Sequence, residues 1–238
     1  NTILKSDHFP GCQRKSLVPV IEGAPNFRKV ANYNVYGVAI PTIKGIDNVL
    51  QHLNANKQDQ AVVWISLREE PVCYIDGRPF VLRDKDNPFE NVVHTGINTR
   101  RVEQMEERLQ SDVLYESKMY QNRILLHDES DKGTFCSWVP IKEIDPFESS
   151  QAFSSQQMVA NNSDYLKSPM PVHQSHSTAM TCRQVYKMFQ QMYNVTYYRI
   201  PVTDEQAPEA HDFEDLLKIV NSAIQSASKN SKKVHVVF

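Results

Sequence analysis

Charge imbalance is almost missing from this sequence: 26 Lys and Arg stand against 28 Asp and Glu. Without a basic excess, nucleic acid is not an expected partner, and no block of like charge marks an interaction tail. Glycine is scarce, with seven residues widely spread, which excludes a Gly-rich nucleotide loop; no Gly-x-Ser-x-Gly nucleophile elbow occurs either. The four cysteines, Cys12, Cys73, Cys136 and Cys182, never stand two residues apart. No zinc ribbon or redox pair is formed, and scattered single cysteines read as reduced thiols of a cytoplasmic protein. No apolar run approaches the ~18 residues of a transmembrane segment, and the N-terminus has no signal-like apolar core. His173 and His176 are three apart, but they sit in a polar stretch without Cys or acid in pattern. No metal and no cofactor is therefore expected.

Hydrophobic residues make up 40% of the chain, enough for a buried core. Residues 1–34 carry Pro10-Gly11, Pro19, Gly23 and Pro25-Asn26 and read as irregular. An extended piece over 35–40 precedes an amphipathic helix over 44–55, built on Ile46, Val49, Leu50 and Leu53. Ala61-Val62-Val63-Trp64-Ile65-Ser66-Leu67 is continuous and rich in β-branched residues, as in strands buried on both faces of a parallel sheet. Val72 to Leu82 reads as a β-hairpin around Asp76-Gly77. A helix is expected over 98–120, with Val102, Met105, Leu109 and Val113 on one face and Glu103, Glu106, Glu107 and Arg108 mostly on the other. A short buried strand follows at 123–127.

Between 148 and 178 the pattern fails: eight Ser and four Gln stand with little periodicity, the mark of a loop or insertion. Order returns with a helix near 181–192, a strand over 195–200, a helix over 212–227 with Asp212 placed to cap it, and a last strand at 234–238. Alternating helices and strands predict an α/β fold. In parallel sheets ligands sit beyond the carboxyl ends of the strands. Two segments lie at such ends: Leu67-Arg68-Glu69-Glu70-Pro71 and Arg199-Ile200-Pro201-Val202-Thr203-Asp204-Glu205. An Arg there can hold an anion, and an Asp on the following loop can protonate a leaving group. A surface charge pair and a helix-capping loop are the plainer alternative.

Particular motifs carry a resemblance. Gly23-Ala24-Pro25-Asn26-Phe27-Arg28-Lys29-Val30, Val35 to Thr42, Val63 to Pro71 with Ile75-Asp76-Gly77-Arg78-Pro79, and Arg199 to Pro208 resemble the paladin family. The Leu-Arg-x-Glu and Arg-Ile-x-x-Thr-Asp elements also resemble the protein-tyrosine-phosphatase-like inositol polyphosphatases, or phytases. The likeness runs over about 20–238, apart from the polar stretch. It implies a three-layer, PTP-like cysteine-phosphatase fold, with a central, mostly parallel sheet flanked by helices. It also implies hydrolysis of phosphate monoesters through a Cys thiolate, with Asp204 as general acid and Arg68 and Arg199 as substrate-binding residues. Expected partners are a phosphorylated small molecule, a phosphoinositide or a phosphoprotein, and neighbouring repeats of the same parent chain.

The sequence departs from the family at the nucleophile. No Cys is followed by five residues and Arg; Cys73 comes nearest, with Arg78 one residue too close, and Cys182 reads as core. Residues 1–238 are accordingly expected to be one PTP-like domain lacking its C-terminal catalytic loop and following helices, inactive in isolation. The chain's start without Met and its apolar end fit a piece of a longer protein. The alternative function is a non-catalytic repeat that serves as a phosphate-ligand or protein-binding scaffold.

Overall fold

The computed structural model describes residues 2–7, 17–130, 133–142, 177–204 and 206–238. The Ser/Gln-rich stretch lies almost wholly outside the described residues, as do Cys12, His173 and His176. The structure has two sheets: a five-stranded open sheet and a closed six-stranded barrel.

The open sheet is built from β2 (Arg28–Lys29), β3 (Val35–Gly37), β4 (Gln60–Arg68), β10 (Val195–Val202) and β11 (Lys233–Val237), in the order β10-β4-β11-β3-β2. Only the edge pair β2–β3 is antiparallel; the other three pairings are parallel. The continuous apolar run of β4 is explained by its neighbours. Val62 and Trp64 face one side, against α1 (Ile43–His52) and α3 (Cys182–Met192), where Ile46, Val49, Leu50, Val185, Tyr186 and Phe189 are buried. Val63 and Ile65 face the other, under Leu216, Ile219, Val220 and Ala223 of α4 (Ala210–Lys229). Burial on both faces leaves no room for polar alternation.

The helix ends follow local chemistry. Thr42 caps α1 by accepting the Gly45 N–H at 3.0 Å, and Thr181 and Gln184 form a reciprocal capping box on α3. At α4 the N-cap is Glu209, not Asp212 as the sequence suggested; Asp212 lies one turn in and accepts the Glu209 N–H at 2.8 Å.

The barrel runs β1-β6-β5-β9-β8-β7, where β1 is Thr2–Ser6, β5 Cys73–Ile75, β6 Arg78–Asp84, β7 Arg123–Ser130, β8 Gly133–Lys142 and β9 Ser177–Thr181. The Asp-Gly turn between β5 and β6 is as expected: Asp76 and Gly77 both hold positive φ, 51° and 72°, the twist that suits a tight hairpin. The irregular reading of residues 1–34 is corrected, because β1 pairs along its whole length with β6. Its buried positions include Lys5 and Ser6 beside Leu4, so no apolar alternation announces it. Lys5 is buried because Glu129 on β7 holds its ammonium at 2.5 Å. The barrel core holds Leu4, Ile75, Phe80, Ile124, Leu126 and Ile141, closed over by Leu109 and Val113 of α2 (Thr99–Met119).

Candidate functional site

The strands of the open sheet end together on one cleft of about 460 Å3. Ser66, Leu67 and Arg68 finish β4, Arg199 lies on β10, Phe238 follows β11, and Val38 to Pro41 follow β3; all line it. This is where a parallel sheet gathers ligand groups, since every strand delivers its next residues to the same edge. Tyr186 and Tyr197 stack in the wall, with ring centroids 4.2 Å apart. A second cleft of about 380 Å3 shares Leu67, Arg68 and Asn91 with the first and is lined further by Glu69, Glu70, Thr203 and Asp204. The structure thus brings Arg68 and Arg199 to one cleft, and Arg68 and Asp204 to the adjoining one.

Arg68 is held by two carboxylates. Its Nη2 lies 2.8 Å from Asp7 Oδ2 and also contacts Glu70. Arg83, almost wholly buried, pairs with Glu70 Oε1 at 2.5 Å and Oε2 at 3.2 Å, and reaches Asp7 at 3.4 Å. Arg83 also donates to Asn91 Oδ1 at 2.8 Å. A guanidinium can only donate, so it fixes the amide with its oxygen inward. The amide nitrogen is then turned to Asp204 and donates to Oδ2 at 2.6 Å. Asp204 is held from a second side, its backbone N–H donating to Glu69 Oε1 at 3.3 Å. The strand pairing slips between Arg199 and Val202, around Pro201, which has no N–H to give the ladder. Thr203 and Asp204 follow directly on that irregularity.

Arg199 is organised differently. Its Nη2 meets Glu106 Oε1 at 2.6 Å, and both side chains are 1% exposed. Glu106 also accepts the backbone N–H of Val72 at 3.1 Å and of Cys182 at 3.1 Å. The sequence reading put Glu106 on the polar face of α2. The buried stripe is instead Val102, Glu106, Leu109, Val113 and Ser117, with the carboxylate in an apolar position because three donors converge on it. Arg199 Nη1 and Arg68 Nε are buried with no hydrogen-bond partner among the described residues.

The sequence reading assigned no role to Arg28, which lines the first cleft and donates to the Asn26 carbonyl at 2.9 Å. Its guanidinium lies over Gly37, where a Cβ would come within 2.7 Å of it. Asp7, Glu70, Arg83 and Asn91 were also missed as parts of the site. Asp7 and Asn91 sit in segments with no periodicity, and only the fold brings them to Arg68.

Neither buried cysteine, Cys73 or Cys182, supplies a nucleophile. Cys73 is buried in the hairpin, and burial, with Glu106 adding to it, pushes its thiol up to about 12. Cys182 opens α3 but is buried, and burial together with Glu106 drives its thiol far above the ordinary range. A thiol so held stays protonated at neutral pH and is inert. Among the described residues no cluster of three or more His, Cys, Asp or Glu is arranged to hold a metal ion. No helix among them is long and apolar enough to cross a membrane.

The chain is 26% identical to paladin from Gallus gallus over 208 residues and 25% identical to paladin from Homo sapiens over 201. These alignments cover 87% and 84% of the chain but 19% and 17% of the relatives, so the chain spans about a fifth of their length. Among solved structures, the tandemly repeated protein tyrosine phosphatase-like phytase of Mitsuokella multacida superposes with a TM-score of 0.58 at 14% identity, over 99% of this chain and 33% of that one. The PTP-like myo-inositol phosphatase of the same organism, solved with myo-inositol-(1,3,4,5)-tetrakisphosphate, gives 0.59 at 12%, over 100% and 33%. These likenesses match the α/β architecture of sheets flanked by helices. The PTP-like phytase family profile, described as inositol hexakisphosphate, matches residues 65–237, most of the chain. The chain belongs to the PTP-like phytase family, as a phosphatase-like domain of the paladin and phytase kind.

Proposed function

We propose that the paired clefts bind a phosphate monoester and that Asp204 is the general acid for its hydrolysis. One observation carries this reading: Arg68 at the carboxyl end of β4 and Arg199 on the neighbouring β10 line a common cleft, and the adjoining cleft presents an aspartate fixed from two sides. Arg68 and Arg199 hold phosphate oxygens in this reading, Arg199 through the Nη1 that its ion pair leaves over. Guanidinium groups suit a tetrahedral anion because their planar N–H pairs match two of its oxygens at once. Asp204 delivers a proton to the leaving oxygen, and in a second step the carboxylate takes one from water. Phosphorylated inositol is the favoured substrate class, supported by the family match and by the inositol tetrakisphosphate bound to the structural relative. A phosphoinositide or phosphoprotein would use the same cleft chemistry.

The attacking thiolate requires a Cys followed by five residues and Arg, which these 238 residues do not contain. The domain by itself therefore releases no phosphate from myo-inositol hexakisphosphate. Joined in one polypeptide to a Cys-x5-Arg loop it hydrolyses the ester, and Asp204→Asn slows that reaction by about 10²–10⁴-fold. A phosphate-release assay checks both. Equal rates with Asp and Asn at 204 would remove the assignment.

A further inference from the structure

Asp7 stands where a ligand oxygen would be expected. It lines the Arg-rich cleft, and its Oδ2 lies 2.8 Å from Arg68 Nη2. The four charged groups here divide unequally. Glu70 and Arg83 are almost wholly buried, with side chains 5% and 3% exposed, and they pair through two contacts of 2.5 and 3.2 Å. Asp7 and Arg68 are the more exposed members, at 16% and 25%. Two acids and two guanidinium groups make the cluster neutral, so while Asp7 is ionised it offers an incoming anion no surplus charge. Asp7 is also the more dispensable partner of Arg83, which it meets at only 3.4 Å. The Glu70–Arg83 pair stands without it.

We propose that Asp7 is an internal competitor for Arg68: its carboxylate occupies the guanidinium face that a phosphate oxygen takes, and so sets the affinity of the cleft for anions. This rests on the reading of Arg68 as a substrate-binding residue. A dianionic ligand must displace Asp7 from Arg68 or share the guanidinium with it, and like charges on one donor repel. Neutralising Asp7 leaves the cluster one positive charge in surplus, facing the cleft. Burial raises the Asp7 carboxyl above its ordinary value, opposed by Arg68 and Arg83, with Glu70 adding to the rise and Lys5 opposing it. These are the charged groups that face Asp7 from β4 and the segment after it, from β6 and from β1 itself. Acidification thus releases Arg68 while the guanidinium stays charged.

The test is a titration with inorganic sulfate, a tetrahedral dianion whose charge does not change between pH 4.5 and 7.5. Chemical-shift changes in the purified chain report binding in the wild type, Asp7→Asn and Arg68→Gln. Asn keeps the shape and an acceptor for Arg68 but removes the charge. At pH 7.5, Asp7→Asn binds sulfate about tenfold more tightly than the wild type. Wild-type affinity rises as pH falls, and the rise is smaller in Asp7→Asn. Unchanged or weaker binding in Asp7→Asn, while Arg68→Gln still lowers affinity, overturns the competitor role alone. Sulfate binding that Arg68→Gln leaves untouched, or no binding in any form, overturns the phosphate-site reading along with it. Thermal melts confirm that each variant folds. Should Asp7→Asn not fold, the pH trend decides: a rise on acidification in the wild type that Arg68→Gln lacks supports the role, and a flat wild-type profile overturns it.

Discussion

At the scale of single residues, the structure separates groups that look alike in the sequence. His235 and Glu106 are both polar residues in apolar surroundings, and each is kept there by its partners. His235 Nδ1 lies 3.2 Å from the Tyr36 hydroxyl and Nε2 lies 2.9 Å from Gln60 Oε1. The carbonyl oxygen of Gln60 can only accept, so the ring carries its proton on Nε2 and receives the tyrosine hydroxyl at Nδ1. Burial, with Lys233, Lys29 and His52 nearby, pushes its pKa down to about 4. An unfolded histidine titrates near 6.5, so below that pH the unfolded chain binds the proton that the folded chain refuses. The neutral ring's contribution is complete above pH ~6.5 and falls away as pH drops toward ~4. Urea unfolding across this window should show a steeper loss of stability toward low pH in the wild type than in His235→Gln. Identical slopes would place the titration elsewhere.

At the scale of elements, Glu106 ties four pieces of chain together. From α2 it reaches the segment before β5 through Val72, the first turn of α3 through Cys182, and β10 through Arg199. Breaking a buried pair leaves the remaining charge without compensation, which is far costlier than replacing both partners. Glu106→Ala should therefore destabilise the fold by about 3–5 kcal/mol, read as a lower urea midpoint, while Glu107→Ala on the exposed side of α2 changes little. Equal small effects would mean that α2 is held by its apolar stripe alone. The helix itself was legible in the sequence; the burial of Glu106 was not. Helical spacing puts residue 106 in the same row as Val102, Leu109 and Val113, but a charge in such a row reads as an exposed edge unless its donors are known. Those donors come from residues 72, 182 and 199, which only the folded chain assembles.

At the scale of the whole molecule, the open sheet was readable and the barrel only in part: the hairpin of β5 and β6 and the start of β7 were expected, while β1, β8 and β9 were not. The parallel strands declare themselves as apolar runs because both faces are covered, and the helices between them keep a clean period. The rest of the barrel shares neither signal. Its first strand buries Lys5 and Ser6, β8 carries exposed Phe135 and Trp138, and β9 begins at the end of the Ser/Gln-rich stretch. The site shows the same division. Arg68 closes β4, Arg199 lies on β10 and Asp204 follows it, in segments where sequence reasoning can look for them. Asp7 arrives from β1 of the barrel and Asn91 from the connection between β6 and α2, so their meeting with Arg68 depends on how barrel and sheet are joined.

The central claim is that the cleft beyond the strand ends is a phosphate-ester site organised by Arg68. Isothermal titration of the chain with myo-inositol hexakisphosphate tests it most directly. The account predicts saturable binding of one ligand, weakened about tenfold or more by Arg68→Gln. Absence of binding, or binding indifferent to Arg68, would contradict it.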